Sequence, residues 1–262
     1  MRHKIKTLGI IALAALIGFS MAACDNSGGG GNGVGHLGST LNLSGQVWIG
    51  DWGNDGGVTW EQFTGNRSIS SAGFWSFFWD GDDWDAIWID IGGSGSISAG
   101  QLSFTIGAPD DLVGISTFFG EGDGFYNFRI SDTNALIAVL DRFETTGAGR
   151  SGQLSRMWES DNTFESVMFV YVDRDVTISG GGRTRIFDCD CEEWDGDCEC
   201  EEWDGHCDCA YRVITQNLNL NLRMGWNALH SRDVWSFGGG METVTVTVSL
   251  GDPARLRWEL DE

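Results

Sequence analysis

Thr243-Val244-Thr245-Val246-Thr247-Val248-Ser249-Leu250 has valine or leucine at every even position and a hydroxyl at every odd one. Successive side chains of a β-strand point to opposite faces, so this run reads as a strand with one face in a core and the other in water. The pattern recurs outward from it. Leu218, Leu220 and Leu222 alternate with Asn217, Asn219 and Asn221. Leu102, Phe104 and Ile106 alternate with Ser103 and Thr105, and Leu41, Leu43, Val47 and Ile49 stand against Asn42, Ser44 and Gln46. Ile87, Ile89 and Ile91 share a face. Val167-Met168-Phe169-Val170-Tyr171-Val172 is apolar on both faces, which predicts a central strand. Leu256, Trp258 and Leu260 predict a strand that closes a sheet at the C terminus.

The 39 glycines and only two prolines, Pro109 and Pro253, favour hairpins over helices. Helix signals are few. Ser131 or Asp132 is a candidate N-cap for a helix through Phe143, with Leu136, Ile137, Leu140 and Phe143 on one stripe. Asp110 and Asp111 after Pro109 suit a short helical turn. The expected fold is mainly β: antiparallel, β-sandwich type sheets with one or two short helices. The expected organisation is a signal peptide over 1–23 and a Gly-rich tether over 24–40. An N-terminal β region over 41–145, ending in the helix, then precedes a C-terminal β region over 146–262.

Arg2, Lys4 and Lys6 precede an apolar stretch from Leu8 to Phe19, too short to span a bilayer comfortably. Met21-Ala22-Ala23-Cys24 follows and resembles the lipobox of bacterial lipoproteins, which implies cleavage before Cys24 and lipidation of its thiol. Residues 25–40 are mostly Gly, Ser and Asn, with almost nothing apolar, and are expected to form a flexible tether. The expected address is the cell envelope, with the membrane as partner through the lipid anchor, on its surface or periplasmic face. Without the signal, 13 arginines face 38 acids, a formal charge of −25. Such a field repels phosphate backbones, so nucleic acid is not an expected partner. There is no lysine after Lys6, which excludes P-loop, Schiff-base and Ser-x-x-Lys chemistry.

Several short motifs follow one another along the chain. They are Leu43-Ser44-Gly45-Gln46-Val47, Gly65-Asn66-Arg67, the run from Gly100 to Gly107, the run from Phe169 to Ile178, Leu218-Asn219-Leu220 and Gly225-Trp226-Asn227. Their order resembles that of a set of spirochaete lipoproteins, mostly treponemal, and spans most of residues 41–260. That family has no established activity, so the resemblance implies address and fold and no catalytic residue.

The segment 188–209 holds a nine-residue tandem repeat. Cys-Asp-Cys-Glu-Glu-Trp-Asp-Gly-Asp is followed by Cys-Glu-Cys-Glu-Glu-Trp-Asp-Gly-His and a truncated Cys-Asp-Cys. It contains Cys189, Cys191, Cys198, Cys200, Cys207 and Cys209, eleven acids, and no Lys or Arg. The flanks 183–187 and 211–215 read as the legs of a hairpin whose tip has expanded. A single long hairpin sets Cys189 opposite Cys209 and Cys191 opposite Cys207; three short strands set Cys191 opposite Cys198 and Cys200 opposite Cys207. Three readings stand together. Disulfides suit an exported protein with an even cysteine set. A thiophilic ion such as zinc or copper suits clustered thiolates with His206 nearby. A repeat expansion without a ligand requires neither.

Asp80, Asp82, Asp83 and Asp85 gather carboxylates of the kind a hard cation prefers, though without EF-hand spacing. The plainer reading is the solvated tip of a hairpin between 74–79 and 84–91. Asp173-Arg174-Asp175 reads as a charged turn. Thirteen tryptophans either fill a core or stack on sugar rings, Trp75 with Trp79 and Trp84 with Trp88 sharing strand faces. Of the histidines past the signal, only His230 falls in the expected core region. No nucleophile-elbow or zinc-protease motif occurs, and no catalytic residue is assigned. The sequence therefore predicts a non-enzymatic binding or structural module, with metal binding through the repeat and glycan binding as the alternatives.

Overall fold

The computed structural model describes residues 35–52, 58–79, 84–119, 127–160, 162–188, 210–238 and 241–261. These residues are almost entirely β. In chain order the first strands are β1 (His36–Gly38), β2 (Leu41–Trp52), β3 (Val58–Gln62), β4 (Arg67–Trp79), β5 (Trp84–Asp90), β6 (Ser94–Ser98), β7 (Gln101–Ile106) and β8 (Val113–Gly114). A one-turn helix, α1 (Ile115–Phe119), leads to β9 (Asn127–Ile130), β10 (Leu136–Leu140), β11 (Arg142–Gly147), β12 (Arg150–Ser160) and β13 (Thr163–Val172). The last five are β14 (Val176–Asp188), β15 (Ala210–Leu222), β16 (Gly225–Gly238), β17 (Met241–Leu250) and β18 (Arg257–Asp261).

Seven strands close into a barrel, in the order β2, β18, β12, β11, β4, β6, β7 and back to β2. The C-terminal strand completes it, because β18 pairs antiparallel with β12 and parallel with β2, Trp258 opposite Val47. Eight of the other eleven strands form a curled sheet ordered β9, β14, β15, β17, β16, β13, β10, β8, while β1 pairs with β16, β3 with β2 and β5 with β4. The mainly β expectation holds; its finer form, sandwich-type sheets, is not what the closed seven-strand barrel with its extra strands confirms. Closure removes the exposed edges that two stacked sheets would leave.

β13 explains how the two parts join. Val167 and Phe169 enter the barrel-side core, while Met168, Val170 and Val172 enter the core enclosed by the curled sheet. A strand buried on both faces has no polar alternation to show, which is why 167–172 lacks one. The barrel core is aromatic: Phe104 meets Phe143 edge-on at 4.8 Å, and Phe143 meets Trp258 at 5.6 Å. Gly45 is needed beside Trp258, since a Cβ there would lie 2.9 Å from the indole.

The expected helix over 131–143 is overturned: β10 and β11 occupy its place. The capping residues are present but close a turn. Asn134 N donates to Asp132 Oδ1 at 2.9 Å, and Thr177 N donates to Ser131 Oγ at 2.9 Å. Ile137 and Val139 then face one core and Ala138 and Leu140 the other. A helix would have buried one stripe only. The short helix lies downstream of Asp110, at 115–119. The expected boundary at 145/146 lies inside β11, and the stretch expected as a tether over 24–40 contains β1, which pairs with β16.

Several of the ordered motifs are structural pins. Gln46 Nε2 donates to Gly100 O at 3.1 Å and Phe63 O at 3.2 Å, and Ala99 N donates to Asn66 Oδ1 at 2.8 Å. Gly100 has φ +77°, and a Cβ there would strike Phe63 O. Asn227 is fully buried and donates to Arg223 O at 2.8 Å and Gly225 O at 2.9 Å. Trp226 Nε1 donates to Gly107 O at 2.8 Å.

Candidate functional site

The sites expected from sequence lie mostly outside the described residues. These are Cys24, Cys189, Cys191, Cys198, Cys200, Cys207, Cys209, Asp80, Asp82 and Asp83. Asp85 sits in β5 opposite Phe78, and the predicted hairpin is formed by β4 and β5. Its register sets Trp75 opposite Trp88 and Trp79 opposite Trp84. Among the other tryptophans, Trp226 and Trp258 are core residues, while Trp48, Trp60, Trp158 and Trp235 are half-buried. The legs of the repeat hairpin are β14 and β15, paired without a slip from Val176↔Leu222 to Asp188↔Ala210. Among the described residues no group of three or more His, Cys, Asp or Glu is placed to hold a metal ion.

Asp173-Arg174-Asp175 is the charged turn expected. Asp173 Oδ1 accepts from Leu136 N at 2.8 Å, Asp175 Oδ1 accepts from Met224 N at 2.9 Å, and Arg174 bridges Asp173 and Asp132. The hydrogen bond from Arg174 holds the Asp173 carboxyl below its usual range, and the bond from Met224 N does so for Asp175.

The densest polar cluster is centred on Glu165, which sequence reading missed. Glu165 points from β13, only 2 % exposed. His230 Nε2 lies 2.8 Å from its Oε2, Arg232 Nε donates to Oε1 at 3.2 Å, and Arg255 Nη2 donates to Oε2. The ladder accounts for the convergence. Glu165 is opposite Arg232 and Val167 is opposite His230, so both β16 side chains share the face of Glu165. The available signal was one acid in the apolar run of β13 and a His-x-Arg pair at strand spacing.

Burial raises the Glu165 carboxyl, but the bonds from His230 and Arg255 outweigh it and hold it below the usual range. Burial lowers the His230 pKa, and the two arginine charges add to this against the opposing pull of Glu165. A neutral imidazole then donates from Nε2 to the carboxylate. Such a pair orients a ring for proton transfer, but among the described residues no hydrogen bond joins it to a hydroxyl or thiol, although Ser249 stands opposite His230 on β17. Its evident work is mechanical. Arg255 ties the 251–256 loop down to Glu165, and Arg156 holds the same loop through Asp252 at 3.2 Å and Pro253 O at 3.3 Å.

Two further carboxyls are perturbed. On the opposite face of β16, burial pushes Asp233 up to about 6; Ser231 Oγ donates to it at 3.0 Å, and the Ser166 hydroxyl nearby is buried without a partner. On the barrel wall, burial pushes Glu259 up to about 7 against Arg257, whose guanidinium lies 4.1 Å from the centre of the Trp60 ring. The charge of Glu159 adds to the rise at Glu259. Compared with known proteins, the chain matches no family model, no curated protein and no solved structure.

Proposed function

We propose that this chain is an exported lipoprotein, anchored through Cys24, whose β body is a non-catalytic binding module at the cell envelope. The observation that carries the reading is the order of its parts: a basic and apolar leader, Met21-Ala22-Ala23-Cys24, a Gly-rich tether, then the β body. One acyl chain alone gives weak anchoring, so a multiply acylated cysteine is the anchor expected. The resemblance to treponemal lipoproteins supports the same address. Two charged clusters support its non-catalytic part, because Glu165 with Arg255 and Asp173 with Arg174 hold a loop and a turn in place. The test is expression in a lipoprotein-processing bacterium with labelled palmitate. Label and membrane association should both be lost in Cys24→Ser; a soluble, unlabelled parent would overturn the reading.

A second reading concerns the Cys-x-Cys repeat. The constant register of β14 and β15 is the one that the single-hairpin arrangement of Cys189 with Cys209 and Cys191 with Cys207 requires. Paired thiols so placed serve as disulfide staples or as ligands for a thiophilic ion such as zinc or copper. Alkylation without reduction, combined with metal analysis of protein purified without chelator, separates them. Six modified thiols and no metal would remove both.

A further inference from the structure

Over β9, β14, β15 and β17 the outward face of the curled sheet carries side chains of one chemistry, before it continues on β16 into Arg232 opposite Thr247 and His230 opposite Ser249. Along β14 it presents Thr177, Ser179, Gly181 and Arg183. Along β15 and β17 every outward position from 215 to 221 and from 243 to 249 is Asn, Thr or Ser. The ladder aligns them: Asn217 is opposite both Gly181 and Thr247, and Thr215 is opposite both Arg183 and Thr245. The edge strand β9 adds Arg129 opposite Ser179. No Asp or Glu occupies any of these positions, in a chain with 38 acids.

The arginines make the face informative. With more than two acids per basic residue, an exposed arginine readily finds a carboxylate. Arg174, Arg223, Arg232 and Arg255 each do. Arg129 and Arg183 are exposed, and among the described residues neither has a carboxylate partner. They stand four ladder positions apart, about 13 Å at strand rise. Asn217 and Asn219 lie in the rows between and beside them. Amides and hydroxyls both donate and accept, as sugar hydroxyls do, and guanidinium forks match carboxylates in pairs. The face has no exposed aromatic anchor in these rows, which disfavours an apolar protein partner.

We infer that the outward β9–β14–β15–β17 face binds an acidic polysaccharide, with Arg129 and Arg183 holding its carboxylates and Asn217 and Asn219 its hydroxyls. The inference rests on the binding-module reading and names the partner class. The net negative charge of the chain works against the complex at long range, so recognition relies on close contact and weakens as salt screens the two arginines.

The experiment uses the full chain, purified from membranes in mild detergent. Polygalacturonate and hyaluronate are the probes, with fully methyl-esterified polygalacturonate and polyglutamate as controls. Binding to at least one uronate polymer is expected. It should fall at least tenfold in R129Q/R183Q and several-fold in N217A/N219A, with the thermal midpoint unchanged because these side chains are exposed. The methyl ester should bind more weakly. Absence of binding to both polymers, undiminished binding by R129Q/R183Q, or equal binding of polyglutamate would overturn the inference, the last by showing a surface that reads charge alone. Loss of anchoring in Cys24→Ser is read separately, so failure of either proposal leaves the other standing.

Discussion

Asp233 and His230 are neighbours on β16 with opposite consequences for stability. In the folded chain Asp233 keeps its proton up to about pH 6, whereas an unfolded aspartate releases it near 3.8. Between those values the folded state binds more protons, so stability falls as pH rises and the penalty is complete above 6. That penalty is roughly 3 kcal/mol. Asp233→Asn keeps an acceptor for Ser231 and should raise stability at pH 7.5 by up to that amount. Denaturant unfolding should show the gain shrinking to near zero by pH 4; an equal gain at both pH values would contradict the account. The depressed pKa of His230 has the other sign, since the unfolded ring takes up its proton first as pH falls below 6.5. Glu165→Gln removes the partner that opposes this depression. The His230 titration followed by NMR should move lower still. Stability should fall by about 2 kcal/mol, less than for a fully buried pair because the two arginines are half exposed.

At the scale of elements, the β14–β15 hairpin is held by its legs. Thirteen residue pairs run unbroken from Val176↔Leu222 to Asp188↔Ala210, and Ile178, Leu218, Leu220 and Leu222 bury their side chains in the core. Replacing residues 189–209 by Asn-Gly should therefore leave circular dichroism and the thermal midpoint essentially unchanged. A protein that no longer folds would show that the repeat stabilises the sheet. Leu220→Ala, by contrast, should cost 2–5 kcal/mol, roughly, as for other buried leucines. The same scale shows why a helix was expected at 131–143. Polar starts and spaced apolar residues suit both a helix on one core and a strand between two cores. Only the second core, lined by Ile137 and Val139 together with Val170 and Ile214, decides between them.

At the scale of the whole molecule, β18 is the closing stave. Deleting residues 256–262 removes the strand between β12 and β2 and opens both edges. The truncated chain should lose its cooperative unfolding transition, measured by tryptophan fluorescence in denaturant; a sharp transition near the parent midpoint would show that closure is not needed. The period-two runs settled by themselves that the chain is mainly β and which of their residues point outward, and the apolar run 167–172 showed one strand buried on both faces, because strand geometry turns sequence parity directly into facing. They also located the hairpin legs around the cysteine repeat. Closure into a barrel was not legible, since parity says which face a residue takes and nothing about which distant strand lies beside it. The parallel contact of β18 with β2 and the meeting of Glu165, His230, Arg232 and Arg255 depend on register across dozens of residues. That register is set by the packing of two cores against one shared strand, which only the tertiary structure decides.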